Sequence, residues 1–446
     1  MDSLAFSTKN INTRDRDDRF VLPRDYIAEI RRRSWHAGDS VSLDLNYSIG
    51  ENLKRRRFVD HLDKSLGILK DPGKQLVQLW PCNPRKTSYL STADSVLDLP
   101  TYSSATFPEL LDWSKDNVLV AALGSSYHKW SWNSQNIVSR VYTRYEIQSC
   151  KFDPRGELLL LGTHMQRVEI HNNARNKRVG VVLCEGERLL CAHRHRSDVH
   201  FCSITALDWS PTGNSFVMGC SFGVVMSVTR CAKVINLTRV VPEPIYLVRV
   251  SPDTRFVAVC VVNSAAVMLL TWPTLKKYFR FYADWLVKTI TWHPWRSALL
   301  AVGAVTSELQ ASVAVFHAPT RVVCERGLAP RPYCLDAMLF SERSGELVTS
   351  LWNTENLGSK IYSQLVVFGD PETVVDQWGD GPRWPDRVRT MVFNPDGTKL
   401  ATATLDEDLI IWNFLPEDKR DKKAKRKRFL ARPVLHDMAL MGLSVR

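Results

Sequence analysis

The chain has 446 residues, of which 44% are hydrophobic, 24% charged and 10% aromatic. That is enough apolar material for a large core, and it excludes both wholesale disorder and a collagen-like fibre. The formal charge of +12 is uneven: Lys419 to Arg446 holds ten basic and two acidic residues, so this stretch supplies +8 and leaves +4 for the other 418 residues. A body so nearly balanced is not a nucleic-acid-binding surface by charge, although the tail can reach acidic partners.

Residues 1 to 88 read as an extended arm: charged, without periodicity, and carrying the basic runs Arg31 to Arg33 and Lys54 to Arg57. Its first residues, among them Asp2, Lys9, Arg14 and Asp15, surround no apolar run of the kind that directs secretion. No stretch reaches the 18 or so apolar residues of a membrane-spanning helix. The nearest, Phe256 to Leu270, is interrupted by Asn263 and Ser264 and reads as two buried strands joined by a tight turn. A cytoplasmic and nuclear protein with no membrane partner is expected. Ten cysteines without a C-x-x-C pair, such as Cys220 and Cys260 inside apolar runs, read as buried reduced thiols.

From residue 89 to 416 one unit recurs seven times: an apolar strand ending in an aromatic residue or Val, a polar turn often containing Pro and Gly, and a second apolar strand. The anchors are Trp113, Phe152, Trp209, Val250, Trp292, Phe340 and Phe393, spaced by 39, 57, 41, 42, 48 and 53 residues. A four-stranded propeller blade takes about 40–45 residues, and loops absorb the excess. A third strand ends near Trp130, Ile170, Val228, Trp272, Phe316, Phe368 and Trp412. The expected fold is therefore all-β, a seven-bladed WD40-type β-propeller, although the usual Gly-His and Trp-Asp dipeptides are missing. The last unit has only three clear strands, and the apolar segment Ser95 to Leu99 is the candidate for its fourth, which would close the ring and remove its edges. Residues 417 to 446 form the basic tail.

No enzyme motif is present: no G-x-S-x-G, Walker loop, G-x-G-x-x-G or H-E-x-x-H. Cys191, His193, His195, His200 and Cys202 have zinc's ligand types without a familiar zinc spacing, so a structural histidine and no metal or other cofactor are expected. The run Lys422 to Arg428 reads equally as an import signal or a solvated linker, and without interleaved aromatics it does not suggest base stacking.

Several stretches resemble the fizzy and fizzy-related proteins, substrate-recruiting activators of the anaphase-promoting complex, a ubiquitin ligase. They are SVLDLP at Ser95 to Pro100, ELLDWSKDNVLVAAL at Glu109 to Leu123, LLGTHMQRVEIH at Leu160 to His171, TITWHPWRSALLAVG at Thr289 to Gly303 and FNPDGTKLATATLDEDLIIWNF at Phe393 to Phe414. The arm fits as well. DRFVLPR, with Asp18, Arg19, Phe20, Val21, Pro23 and Arg24, is similar to the family's C-box with its Pro displaced by one position, and the terminal Val445-Arg446 is similar to the family's Ile-Arg ending. The divergence as a whole resembles the cortex branch found in insects.

This resemblance implies a non-enzymatic adaptor, monomeric within a larger complex, that regulates cell-cycle and meiotic progression. Its partners would be anaphase-promoting-complex subunits and degron-bearing substrates such as cyclins. The C-box and the terminal dipeptide would dock on the ligase. A destruction box, R-x-x-L, would lie between the first and seventh blades with its Arg facing Asp112 and Glu407, and a KEN box would meet Arg387 and Thr306, where Val262 or Asn263 and Cys334 replace amide-bearing residues. The competing readings are a generic WD-repeat or chromatin scaffold, and a phosphoinositide-binding propeller, whose F-R-R-G motif the sequence lacks.

Overall fold

The structure, a computed structural model, describes residues 81–416 except 91–92, 103–106, 186–201, 284–285, 320, 328–332, 354–362, 370–373 and 379–385. The C-box-like run, Val445-Arg446, most of the arm and the tail lie outside the described residues, as do Cys191, His193, His195 and His200. The described residues of Pro81 to Phe316, and those from Val323 onward, belong to one compact unit, which holds the sheets.

Local chemistry explains why each unit starts as it does. The seven anchors are the last residues of seven strands: β2 (Leu111–Trp113), β6 (Ile147–Phe152), β10 (Ile204–Trp209), β14 (Ile245–Val250), β18 (Leu286–Trp292), β22 (Tyr333–Phe340) and β26 (Val388–Phe393). Each anchor is followed by a buried residue with a short polar side chain or a His, and that side chain can take up the amides freed by the turn. Ser114 Oγ accepts the amide of Val118, Asp153 Oδ1 that of Leu158, Ser251 Oγ that of Phe256 and Asn394 Oδ1 that of Lys399. These are side-chain-capped turns between the first two strands of a meander.

The strands assemble into seven four-stranded antiparallel sheets, each with its first strand innermost. Neighbouring first strands pack against one another all the way round, including β26 against β2, so they line a central channel and the ring is closed. The seventh sheet is completed from the amino-terminal side: β1 (Ala93–Asp98) pairs with β28 (Asp408–Asn413), next to β27 (Lys399–Thr404), with Val96 opposite Ile410 and Asp98 opposite Asp408. The expected closing strand is therefore present. Second strands such as β15 (Phe256–Val261) are wholly buried between sheets, which is why they read as continuous apolar runs. The turn expected at Asn263 separates β15 from β16 (Ala266–Thr271), and Asn263 takes the positive φ of 52° that Asn tolerates.

A strap not anticipated from sequence precedes β1. The Arg85 guanidinium, with no exposed side-chain surface, bonds Glu346 Oε2 at 2.8 Å, Asp376 Oδ2 at 2.8 Å and the Phe414 carbonyl at 3.1 Å. Ser88 Oγ donates to Asp376 Oδ1 at 2.6 Å, so residues 85–88 tie the sixth sheet to the end of the seventh.

Candidate functional site

An antiparallel meander sorts its turns by face. The turn between strands one and two lies at one end of the channel, whereas the start of strand one and the turn between strands two and three lie at the other. Arg387 immediately precedes β26, Asn263 is in the β15–β16 turn, and Glu407 is in the β27–β28 turn at φ 67°. Thr306 is in the turn between β19 (Leu299–Val305) and β20 (Ala311–His317). These four therefore share one face of the ring.

That face has a cavity of about 230 Å³ at the mouth of the channel, lined among others by Tyr246, Asn263, Lys288, Asp336, Arg387 and Arg389. Arg387 is held rigidly. Its Nη2 donates to Asp336 Oδ1 at 2.8 Å, its Nε also bonds Asp336, and its guanidinium lies 4.1 Å from the centre of the Trp352 ring. Burial works to lower the Arg387 pKa, but the hydrogen bond and charge of Asp336 outweigh it and the net displacement is upward. Burial pushes the neighbouring Tyr246 hydroxyl upward, so it stays protonated and keeps a donor at the cavity wall. Thr306 Oγ1 accepts the Gln310 amide at 3.2 Å and braces its own turn. The arrangement offers fixed cations, one carboxylate and aromatic surface to a short polar segment, and among the described residues that line it no nucleophile is paired with a base.

The structure does not bring Asp112 and Glu407 together. Asp112 is the second-last residue of β2, next to the turn at the opposite end of the channel from Glu407. It is buried and faces the second sheet, where Oδ2 accepts the Phe152 amide at 2.7 Å and Oδ1 lies 3.1 Å from Lys151 Nζ. Asp208 makes the same bond two sheets further on, from the third sheet to the Val250 amide of the fourth at 2.8 Å. These carboxylates join adjacent blades. The acid that ring closure sets beside Glu407 is Asp98: the Leu99 amide donates to the Glu407 carbonyl at 2.6 Å, and Asp98 is exposed at the end of β1. Its signal in the sequence was its position at the end of the predicted closing strand.

One further cluster joins Cys202, flagged in the sequence for zinc, to two cysteines read as ordinary core. Among the described residues, Cys184, Cys202 and Cys220 are the group whose ligand atoms could hold a metal ion, with all three sulfurs within 4.8 Å of one another. Hydrogen bonds from the Cys184 and Cys202 thiols, with the Phe222 and Val224 amides, pull the Cys220 thiol below its usual range, and Cys202 is raised in turn.

A family model described as WD domain, G-beta repeat matches residues 381–413. The chain is 57% identical to protein cortex of Heliconius erato over 458 aligned positions, covering 100% of both chains. It is 23% identical to "Cell division cycle 20.5, cofactor of APC complex" of Arabidopsis thaliana, over 85% of this chain and 81% of that one. A chain in the crystal structure of a mitotic checkpoint complex superposes with a TM-score of 0.58 at 19% identity, covering 78% of this chain and 97% of that one, a likeness of fold.

Proposed function

The chain belongs to the cortex family, a divergent branch of the fizzy and fizzy-related proteins, and from that premise we propose that it is a substrate-recruiting adaptor of the anaphase-promoting complex. The observation that carries this reading is the similarity, along 85% of the chain, to a relative described as a cofactor of that complex. Recruitment needs display rather than chemistry, and a closed ring with a rigidly held cationic mouth suits it.

In this reading the Arg of a destruction box meets Asp98 and Glu407 where the ring closes, and its Leu takes the apolar surface alongside. A second degron, rich in amide and carboxylate groups, meets Arg387, Asn263 and Thr306 at the channel mouth. The run from Asp18 to Arg24 and the terminal Val445 and Arg446 dock on the ligase through Arg-centred contacts, and linking two weak sites in one chain raises their joint avidity. The run Lys422 to Arg428 supports residence in both nucleus and cytoplasm, and the adaptor acts on cell-cycle and meiotic progression by choosing substrates.

The test is a pull-down of the full chain from dividing cells followed by an in vitro ubiquitylation assay. Anaphase-promoting-complex subunits should co-purify, and added chain should raise ubiquitylation of a destruction-box substrate. Absence of those subunits under conditions in which a fizzy protein retrieves them would sink the proposal.

A further inference from the structure

Three cysteines separated by equal stretches of chain meet where the second and third sheets adjoin. Cys184 follows β9 (Lys177–Leu183), Cys202 precedes β10, and Cys220 ends β11 (Ser215–Cys220). Cys202 and Cys220 have no exposed surface and Cys184 has 7%. Their positions are fixed by the backbone, since the Cys184 amide donates to the Gln166 carbonyl at 2.7 Å and the Gln166 amide donates to the Cys202 carbonyl at 2.6 Å. Around them lies an apolar shell that includes Val168, Ile204, Met218 and Val224.

Three thiols could serve merely as small apolar filling, but filling does not require all three sulfurs to converge within 4.8 Å of one another, and the turn after Cys220 leaves its backbone no freedom to move away. Gly223 has φ 71°, and a Cβ there would lie 1.7 Å from the Val241 carbonyl oxygen, so no larger residue fits. Thiolate is the form of cysteine that binds metal.

We propose that Cys184, Cys202 and Cys220 bind one zinc ion. Zinc–sulfur bonds of about 2.3 Å in a tetrahedral site place sulfurs roughly 3.8 Å apart, so sulfurs already within 4.8 Å need to close by no more than about 1 Å. Each cysteine that ligates as thiolate releases one proton to solvent, and no electron is transferred. Zinc is preferred to another thiophilic ion, monovalent copper. Three thiolates and Zn²⁺ leave a net charge of −1 in this apolar shell, whereas copper would leave −2, and buried charge is costly. The ion would staple the end of the second sheet to two strands of the third. Cys191, His193, His195 and His200 lie outside the described residues, and the site is assigned without them. The inference does not rest on the recruitment reading.

The experiment is elemental analysis of the full chain purified from cells supplied with zinc. About one zinc per chain is expected, falling to about a tenth of an equivalent or less in Cys202→Ala and Cys220→Ala variants whose circular dichroism is unchanged. Because core substitutions can unfold a protein, the unmodified chain is also stripped with a chelator and reloaded with cobalt(II), which should produce sulfur-to-cobalt charge-transfer absorption in the near ultraviolet. Less than about a tenth of an equivalent of zinc in the unmodified chain would overturn the assignment. So would retained zinc in the folded variants, no cobalt charge-transfer band, or a disulfide between two of the three cysteines.

Discussion

The carboxylate of Asp112 accepts the backbone amide of Phe152 at 2.7 Å, across the boundary between the first and second blades. The bond is buried and charge-assisted, so Asp112→Ala should cost about 1.5–3 kcal/mol of stability, read by denaturant unfolding. Degron-peptide affinity should not move, because Asp112 lies at the other end of the channel from Glu407. A loss of peptide binding with unchanged stability would return Asp112 to the recognition site.

Asp98 and Glu407 should behave in the opposite way. Each Ala substitution should weaken a destruction-box peptide by about threefold to tenfold, the modest range appropriate to carboxylates open at least in part to solvent, and leave unfolding nearly unchanged. With both removed, replacing the peptide Arg should cost little more, since its partners are already gone. Additive losses in a titration of the four combinations would contradict the pairing.

Acid should destabilise the ring through His293. Its Nδ1 lies 3.1 Å from the amides of Trp295 and Arg296, and its Nε2 lies 2.7 Å from the Pro81 carbonyl, an arrangement that suits the neutral ring. Burial holds its pKa at about 4, below the ordinary 6.5. As pH falls from 6.5 to 4 the unfolded chain takes up a proton that the folded chain does not, so stability falls through this window, by about 3 kcal/mol at most. Asp208, raised by burial from 3.8 to about 6, works in the other direction, because between those values the folded chain keeps a proton that the unfolded chain has lost. The difference between wild type and His293→Asn isolates the histidine: its pH slope should vanish in the variant, and equal slopes would refute the assignment.

Arg85→Met should be among the more damaging single changes in the described chain. It leaves Glu346 and Asp376 buried without their cation, and breaking such a network costs about 3–5 kcal/mol. Calorimetry would check this, and a melting temperature within a degree or so of wild type would count against it.

Deleting Val445 and Arg446 should leave melting unchanged and reduce co-purification of the ligase. Equal yields from the truncated and full chains would remove the terminal dipeptide from docking.

The ring was legible in sequence because its evidence is local and repeated. Each anchor from Trp113 to Phe393 is the last residue of a first strand, and the buried polar residue after it, except Ser210, accepts an amide of the adjacent turn. Recognition residues were harder to place, since the face a side chain reaches depends on register. Asp112 and Asp98 are both acids beside apolar runs, and only the pairing of Asp98 with Asp408 shows which of them stands by Glu407. Arg85 looked like one more charge in a charged arm because its acidic partners are 261 and 291 residues away. The cysteine trio escaped notice for a related reason: Cys184 and Cys220 belong to different sheets and meet only in the folded chain.

Because β1 pairs only with β28, one of the earliest-made strands must wait for one of the last, about 310 residues later. During synthesis the six sheets made of consecutive strands can form as they emerge, while the seventh stays incomplete and its apolar second strand lacks full cover. A ribosome stalled before Asp408 therefore holds an open arc with two exposed sheet edges, a species prone to pair with its neighbours. A chain truncated anywhere before Asp408 therefore leaves β1 without a partner strand, so the folding of the final sheet depends on both ends of the ring having been made.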